Sequence, residues 1–386
     1  MAHAIPAPGF PCTSAHSHVL MCPCGALVHV RRFRYHHIVS PAVSSNVHFD
    51  KSLREKECVM SQDLWKYCTK EHCREFLLSL GLTGGLCRTD EKRLALLYGL
   101  ANHPEDHYSV HRIPKQNGGF RKITEPDFPL KTVQKNILHH ILEHLTVSDC
   151  ACAYRKGISL TANASPHVGK ARILKMDIKD FFGNITYISV YQHAFPGALF
   201  PPPVRTLLAS LCCCNDVLPQ GAPTSPYISN LVMKSFDDYM KEWCAPRGIT
   251  YTRYCDDLTF SGDFDAREVY HKAASFLSRL GFEVNPAKTR ICTRGSRQEV
   301  TGLTVNDKLA VSKEYRRQLR QEWYYITRYG LKEHLIRTGR RSEEALHYLN
   351  SLAGRTAHVL LADPDSPYFR RMSREIKELA NSLQNS

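Results

Sequence analysis

The chain has 386 residues, enough for two or three domains of ordinary size. Hydrophobic residues make up 43% and charged residues 23%, which excludes a wholly disordered chain. The 51 Lys and Arg residues outnumber the 37 Asp and Glu residues, giving a net charge of +14. This excess favours a polyanionic partner such as nucleic acid over an anionic membrane. Because no apolar run approaches the roughly 20 residues of a membrane-spanning helix, we expect no membrane association.

Residues 1–60 show no clear periodicity and predict an N-terminal extension of unknown role. Their apolar stretch, 18–30, precedes a basic cluster at 31–34, which is the reverse of the order in a secretion signal. The C-x-C spacing at 22–24 differs from that of most zinc sites, so we favour an unmetallated extension over zinc binding. The candidate zinc ligands are Cys12, Cys22, Cys24, His36 and His37.

The 15 Cys residues are odd in number and scattered along the chain. This pattern predicts reduced thiols in a cytoplasmic protein rather than a disulfide framework. We interpret Cys212, Cys213 and Cys214 as small apolar packing residues, because a free Cys behaves as a buried hydrophobe.

The first helical pattern begins near residue 61, with Ser61 as the expected N-cap. Residues 108–125 predict a β-hairpin, because Asn117-Gly118 tolerates the positive φ of a tight turn. Apolar residues then recur every three or four positions from Leu130 to Leu145, which predicts a helix.

Residues 171–178 predict a strand that ends near a carboxylate. Residues 226–243 predict a helix capped by Ser225, with an apolar stripe that we take to include Ser235. A second hairpin is expected at 249–260. The remaining predicted helices are those at 266–280, stopping at Gly281, and after Ser312, with breaks near Gly330, Gly339 and Pro364.

The predicted second hairpin carries Tyr254-Cys255-Asp256-Asp257 at its tip. Adjacent acids repel each other unless a cation neutralises them, although an ordinary Asp-rich turn is the alternative. A third acid, Asp177, ends the strand at 171–178, so the three carboxylates converge if the two strands are neighbours. Carboxylates that hold two hard divalent ions suit in-line phosphoryl transfer, in which a hydroxyl attacks and pyrophosphate leaves.

The segment L-P-Q-G-A-P-T-S-P at 218–226 lies between these acids and predicts a fixed loop that enters the long helix. Its Gln220 can contact a base pair or sugar without adding charge. Alone the segment is equally typical of a helix entry, but its order with the acids favours a shared site.

In this order the motifs resemble those of reverse transcriptases. The resemblance covers about residues 108–311 and rests on Lys115 to Arg121, D-I-K-D-F-F at 177–182, L-P-Q-G at 218–221, Y-C-D-D at 254–257 and N-P-A-K-T at 285–289. It implies an α+β right-hand polymerase fold. The implied parts are an extension at 1–60, N-terminal helices and fingers at 61–170, a palm with an interleaved fingers segment at 171–305, and a helical RNA-binding thumb at 306–386.

The resemblance also implies roles for individual residues. Asp177, Asp256 and Asp257 match the metal-binding acids, and Ile178 matches a position whose backbone helps to hold metal. Lys288 matches the lysine proposed to protonate pyrophosphate, with a solvated surface lysine as the alternative.

Four further positions match the pocket of the incoming nucleotide. Lys115 and Arg121 match basic residues that clamp the triphosphate, and Gln220 matches the pocket glutamine. Phe182 matches the aromatic ring that excludes a ribose 2′-OH, with a core phenylalanine as the alternative.

Two short motifs resemble those of retron reverse transcriptases: N-A-S-P-H at 163–167 and V-T-G at 300–302. The resemblance implies RNA contact by Asn163 and His167, although His167 also suits a structural histidine. In the C-terminal region, Arg316, Arg317 and Arg320 lie among aromatic residues, a composition that favours contact with RNA phosphates and unpaired bases.

We therefore expect an RNA-directed DNA polymerase of retron type that uses two Mg²⁺ ions, with Mn²⁺ as a substitute. Its expected partners are dNTPs, a structured non-coding RNA that is template and primer, the linked single-stranded DNA product, and an effector protein encoded nearby. The expected setting is antiphage defence in the bacterial cytoplasm.

The sequence is also compatible with two alternative functions. One is a group II intron-like or other bacterial reverse transcriptase, and the other is a non-catalytic RNA-binding scaffold. An RNA-templated RNA polymerase is less favoured, because Phe182 would obstruct ribose.

Overall fold

The computed structural model describes residues 65–114 and 118–384, together with strands β1 (Val19–Met21) and β2 (Leu27–His29), which pair antiparallel. Several residues singled out in the sequence lie outside the described residues: Cys12, Cys22, Cys24, His36, His37, Ser61, Lys115 and Asn117. The chain divides into two compact units. The first comprises Met1–Thr146 and Ile185–Val232, and the second comprises Val147–Asn184 and Met233–Ser386.

The first unit is mainly helical, with a buried core of leucine, isoleucine and valine side chains. Thr69, Thr89 and Thr186 each begin a helix by accepting a hydrogen bond from a backbone N–H of the first turn. Among the described residues, the α-helices of five or more residues that lie wholly within this unit are Lys70–Ser79, Asp90–Asn102, Phe128–His140, Tyr187–His193 and Pro202–Cys212. Cys212, Cys213 and Cys214 are buried, which confirms their interpretation as packing residues.

This unit also contains an antiparallel hairpin of β3 (Tyr108–Pro114) and β4 (Phe120–Pro126), as predicted. The helix that follows ends at His140, short of the predicted Leu145. Ile141 leaves helical geometry with φ −121°, and a 3₁₀ turn follows over Leu142–His144. Leu142 nevertheless stays fully buried, so the apolar spacing continues past the end of the helix.

The second unit is built on a four-stranded antiparallel sheet in the order β6-β7-β5-β8. Its strands are β5 (Arg172–Asp177), β6 (Thr250–Tyr254), β7 (Asp257–Gly262) and β8 (Arg290–Thr293). The predicted strand at 171–178 is therefore β5, and the predicted hairpin at 249–260 is the pair β6–β7. A small ladder of β9 (Glu299–Val300) and β10 (Leu303–Thr304) follows.

Helices cover the sheet through aromatic contacts. Phe236, on the helix Ser225–Cys244, meets Tyr251 of β6 edge-on at 6.2 Å between ring centroids and Phe276 at 5.5 Å. Phe276 belongs to the helix Ala266–Arg279, which ends just before Gly281, at φ +84°, as predicted. The expected stripe on the longer helix is wrong at one position, because Ser235 is exposed while Asp237 is fully buried.

The C-terminal part of the second unit is a bundle of four helices, broken at the predicted glycines and proline. The helices are Lys313–Tyr329, Leu331–Arg337, Ala345–Ala362 and Pro367–Gln384. Trp323, Leu349 and Phe369 lie in its buried core, which also includes Val300 and Leu303 of the β9–β10 ladder. The motif at 300–302 is thus anchored in the bundle's core.

Candidate active site

A two-residue loop, Cys255-Asp256, joins β6 to β7. Cys255 has φ +61°, a conformation that a non-glycine residue adopts at a cost of about 1–3 kcal/mol. Positive φ at the first loop residue is typical of the type II′ connection between antiparallel strands. The loop therefore presents Asp256 at the end of the sheet on a strained turn.

The neighbouring strand brings a third carboxylate to the same end. Asp177, the last residue of β5, pairs in register with Asp257, the first residue of β7. The next residue, Ile178, is buried and donates its backbone N–H to the carbonyl oxygen of Asp256 at 3.0 Å. The two strands are neighbours, which was the condition for the acids to converge, and the three acids share one edge of the sheet.

The convergence of these acids has an electrostatic consequence. Burial raises the pKa of Asp257, and the charges of Asp256 and Asp177 raise it further. Lys288 donates from Nζ to Oδ2 of Asp177 at 2.8 Å, and this hydrogen bond raises the pKa of the lysine. The Lys288 side chain is 62% exposed while that of Asp177 is buried, so the lysine reaches the acid from the solvent side.

The three carboxylates offer oxygen ligands of the kind that a divalent ion needs. Among the described residues, no three His, Cys, Asp or Glu side chains form a preassembled metal cluster. The chemistry nevertheless fits, since carboxylate oxygens are the preferred ligands of hard divalent ions. Burial is the main cause of the raised pKa of Asp257 and the charges of Asp256 and Asp177 add to it, so a cation beside these acids would be favoured.

A buried ion pair supports the loop from beneath. Arg253 on β6 and Asp237 on the long helix are both fully buried and form several hydrogen bonds, the shortest at 2.6 Å. The Nη1 of Arg253 also donates to the carbonyl oxygen of Cys255 at 2.9 Å. The guanidinium group thus connects the helix to the strained turn that carries Asp256.

This ion pair was not predicted from the sequence, although the position of Asp237 on the helix indicated it. Asp237 lies four residues after Met233 and three before Met240, both fully buried. A charged residue on a buried stripe requires a buried partner of opposite charge. Arg253, in the predicted strand just before Tyr254-Cys255-Asp256-Asp257, was the available cation.

Phe182 lies five residues beyond Asp177 and is half-buried. Its ring meets that of Phe181 edge-on at 5.5 Å, and Phe181 is buried against Phe282 at 5.7 Å. Phe181 therefore occupies the core position, which leaves part of Phe182 open to solvent.

The predicted nucleotide-binding residues in the first unit are Lys115, Arg121 and Gln220. Arg121 is exposed on β4, while Lys115 is outside the described residues. The backbone carbonyl of Gln220 accepts a hydrogen bond from the N–H of Thr124 on β4 at 2.8 Å. Gly221 has φ +137°, and a Cβ there would lie 2.7 Å from the carbonyl oxygen of Thr124, so only glycine allows this close approach.

Asn163 and His167 are buried rather than displayed. The ring nitrogens of His167 lie 2.6 Å from the hydroxyl of Ser261 and 2.8 Å from that of Thr252, and burial lowers its pKa to about 4. Asn163 lies 3.5 Å from the hydroxyl of Thr301. Neither side chain offers a surface for direct contact with RNA, and His167 has the environment of a structural histidine.

The three arginines proposed for RNA binding differ in their surroundings. Arg317 is exposed, and Arg316 is half-buried. The guanidinium of Arg320 lies over the rings of Tyr368 and Phe369 at 5.6 and 5.4 Å. The same helix exposes Tyr324, Tyr325 and Tyr329, of which the last two stack at 6.2 Å.

Comparison with known proteins identifies the relatives of this chain. The profile of the family described as reverse transcriptase (RNA-dependent DNA polymerase) matches residues 113–334. The Retron Mx65 reverse transcriptase of Myxococcus xanthus is 34% identical over 322 residues, which cover 75% of this chain and 71% of that protein. The Retron Ec83 reverse transcriptase of Escherichia coli is 32% identical over 271 residues, 66% of this chain and 84% of that protein.

Among solved structures, the telomerase from Candida albicans with a TWJ fragment of telomeric RNA superposes with a TM-score of 0.40 and 11% identity. The alignment covers 74% of this chain and 70% of that chain.

Proposed function

The chain belongs to the retron reverse transcriptases, and from that premise we propose how its own residues carry out RNA-directed DNA synthesis. Reverse transcriptases use divalent metal ions. We propose two Mg²⁺ ions, with Mn²⁺ as a substitute, held by the carboxylates of Asp177, Asp256 and Asp257 and by the main chain of Ile178. The observation that carries the proposal is the in-register pairing of Asp177 with Asp257 beside the loop of Asp256.

When bound, the ions activate the attacking hydroxyl and stabilise the charge on the leaving pyrophosphate. The hydroxyl loses its proton to solvent, and its oxygen forms a bond to the α-phosphorus while the bond from that phosphorus to pyrophosphate breaks. Lys288 is held protonated by Asp177, as its raised pKa indicates. We propose that it donates a proton to the pyrophosphate as that group leaves.

Membership of this family also supports the roles that we propose for the residues of the nucleotide pocket. Arg121 and Lys115 bind the triphosphate, and Gln220 contacts the nucleotide from a loop fixed to β4 through Gly221. The half-exposed ring of Phe182 excludes a ribose 2′-OH, while Phe181 fills the core.

RNA binding is divided between direct and indirect contributions. Arg316, Arg317 and Arg320, with the exposed tyrosines of their helix, contact phosphates and unpaired bases. Asn163 and His167 act indirectly, because their burial restricts them to supporting the sheet and the turn at 300–302.

We propose that the parts of a right hand map onto these elements: the hairpin β3–β4 in the fingers, the sheet β6-β7-β5-β8 in the palm, and the C-terminal bundle as the thumb. The boundaries at 61–170, 171–305 and 306–386 remain predictions.

The retron relatives favour the retron reading over a group II intron-like enzyme or a non-catalytic scaffold. We propose that the enzyme copies a structured partner RNA into single-stranded DNA joined to a 2′-OH of that RNA. Antiphage defence with a nearby effector protein, in the bacterial cytoplasm, is the proposed setting. No helix among the described residues has the length and apolarity to cross a bilayer.

The test is to express the enzyme with its neighbouring locus, extract nucleic acid, and treat it with RNase and a debranching enzyme. We expect a short single-stranded DNA whose RNA-linked end is released by debranching, and no such product from the Asp256→Asn variant. If the enzyme extends added primers but yields only unlinked DNA and no bound locus RNA, the retron product is refuted while reverse transcription stands.

A further inference from the structure

The loop 148–155 is fixed to β6, the strand that leads into the turn carrying Asp256. Arg253 of β6 donates its backbone N–H to the carbonyl of Cys150, and its own carbonyl accepts from Cys152, both at 2.8 Å. The guanidinium of Arg155 donates to three carbonyls of the loop, those of Ser148, Asp149 and Ala151, at 3.2–3.4 Å. The loop therefore lies beside β6 as an anchored segment, and its last turn carries Tyr154.

Tyr154 has φ +60°, which is uncommon for a bulky side chain. Its hydroxyl donates to the Sγ of Cys255 at 3.0 Å, and Cys255 has φ +61°. Two residues with left-handed backbone conformation, on different segments of the chain, are thus in contact at the turn that carries Asp256. Backbone strain of this kind is concentrated at functional sites, where surrounding contacts hold it in place.

The side chain of Tyr154 is divided between core and solvent. Burial raises the pKa of its phenol, as do the neighbouring Cys255 and the charge of Asp256, so the hydroxyl remains a hydrogen-bond donor. The residue as a whole is 43% exposed. An aromatic surface is therefore open to solvent close to Asp256, which the catalytic proposal places beside the attacking hydroxyl.

We propose that Tyr154 binds the nucleoside that carries the attacking hydroxyl, through contact of its ring with that nucleoside. This inference rests on the proposed function, because it takes Asp256 to mark the position of the primer terminus. An aromatic ring suits the task, since every nucleoside offers a flat face and no added charge perturbs the acids. The bond from the hydroxyl to Cys255 fixes the ring relative to the turn.

Three substitutions at Tyr154 separate the effect of losing the ring from the effect of the unusual backbone conformation. Tyr154→Gly removes the ring and relieves the positive φ, and Tyr154→Asn removes the ring in a residue that tolerates this conformation. Tyr154→Phe keeps the ring and loses the hydroxyl. Asn215→Gly is the matched control, because Asn215 also has positive φ, +50°, in a turn of the first unit.

The full-length variants extend a labelled DNA primer annealed to an RNA template by one nucleotide, over ranges of primer–template and dNTP concentration. We expect the Gly and Asn variants to raise the KM for primer–template by ~5–100-fold, the effect of losing one base–aromatic contact. Their KM for dNTP should stay within about twofold of wild type, because the substitutions leave the proposed contacts with the incoming nucleotide unaltered. The Phe variant should retain the wild-type KM for primer–template, because the anchored loop still holds the ring when the bond to Cys255 is lost. The control should retain it as well.

A wild-type KM for primer–template in both ringless variants overturns the inference, as does an equal rise in both KM values, which would mean that the ring only supports the turn. The Asp256→Asn variant distinguishes the two proposals. If it is inactive while the ringless variants bind primer normally, the catalytic proposal stands and the role of Tyr154 falls. If it remains active, the catalytic proposal falls.

Discussion

Asp177 and Asp257 lie directly opposite each other on adjacent antiparallel strands. Like charges at such a pair destabilise a sheet unless a cation lies between or beside them. Here the neighbouring loop adds Asp256, and the only cation hydrogen-bonded to Asp177 among the described residues is that of Lys288. The fold thus maintains a concentration of negative charge that divalent ions would relieve.

The first prediction concerns the two acids of the tetrad. Asp256→Asn and Asp257→Asn should each lower primer extension by at least ~10³-fold, because a neutral amide is a poor ligand for a hard divalent ion. RNA binding, measured by filter retention, should change little. Asp263→Asn, an exposed acid just beyond β7, is the control. Extension near the wild-type rate by both variants in Mg²⁺ would refute the assignment.

The second prediction concerns sugar selection. Phe182→Ala should raise the incorporation of ribonucleotides relative to deoxynucleotides, because the half-exposed ring is the group expected to meet a 2′-OH. Phe181→Leu should leave the ratio unchanged while lowering thermal stability, because Phe181 is buried against Phe282. The ratio is measured on one RNA template with each nucleotide in turn. An unaltered ratio in an active Phe182→Ala enzyme would assign that ring to the core.

The third prediction concerns the loop that carries Gln220. Gly221→Ala should raise the KM for dNTP by about tenfold or more, because the added Cβ displaces the loop from the carbonyl of Thr124 and positive φ disfavours alanine. Gly99→Ala is the control, since Gly99 lies in a helix with open space around it and should gain ~0.5–1 kcal/mol of stability. A normal KM for dNTP in Gly221→Ala would show that the loop tolerates displacement.

The fourth prediction concerns the buried ion pair. Arg253→Met should cost about 3–5 kcal/mol in the free energy of unfolding, because it leaves Asp237 buried without its cation. Adding Asp237→Asn should restore at least half of that loss, since the amide keeps an acceptor for the hydroxyl of Tyr251. Urea unfolding measures both values.

Activity should not return with stability in this pair of variants. The carbonyl of Cys255 still lacks its bond from Arg253, so the turn that carries Asp256 remains less well fixed. Primer extension by the double variant at the wild-type rate would show that the ion pair stabilises the fold without positioning the turn.

The fifth prediction concerns pH. Burial lowers the pKa of His167 to about 4 in the folded chain, against 6.5 when exposed. The unfolded chain therefore binds the extra proton between these values, and stability that is fully present above pH 6.5 is lost as pH falls towards 4, by up to about 1.4 kcal/mol per pH unit. His167→Gln should flatten this dependence in urea unfolding across the same range. An unchanged slope in the variant would assign it to other groups.

The sequence by itself determined the class of the protein and most of its elements. Hairpin β3–β4, strand β5, hairpin β6–β7, the helix Ser225–Cys244 and the breaks in the C-terminal bundle all follow from local patterns of apolar spacing and turn residues. The predicted cap of that helix is wrong, because Ser225 is its first residue and its buried hydroxyl has no hydrogen-bond partner among the described residues. The order of the motifs around Asp177, Gln220 and Asp256 indicated the family that the relatives then showed. Such features are readable because each depends on residues close together in the chain.

Only the tertiary structure decided which side chains are buried and what they touch. The pairing of Arg253 with Asp237, the contact of Tyr154 with Cys255, and the enclosure of His167 between Ser261 and Thr252 each join distant segments. Local periodicity put Ser235 on the apolar stripe where Asp237 belongs, because a charged residue is buried only when its partner arrives from elsewhere. The sequence carries the chemistry of each residue, whereas its burial and its partners depend on how distant segments pack together.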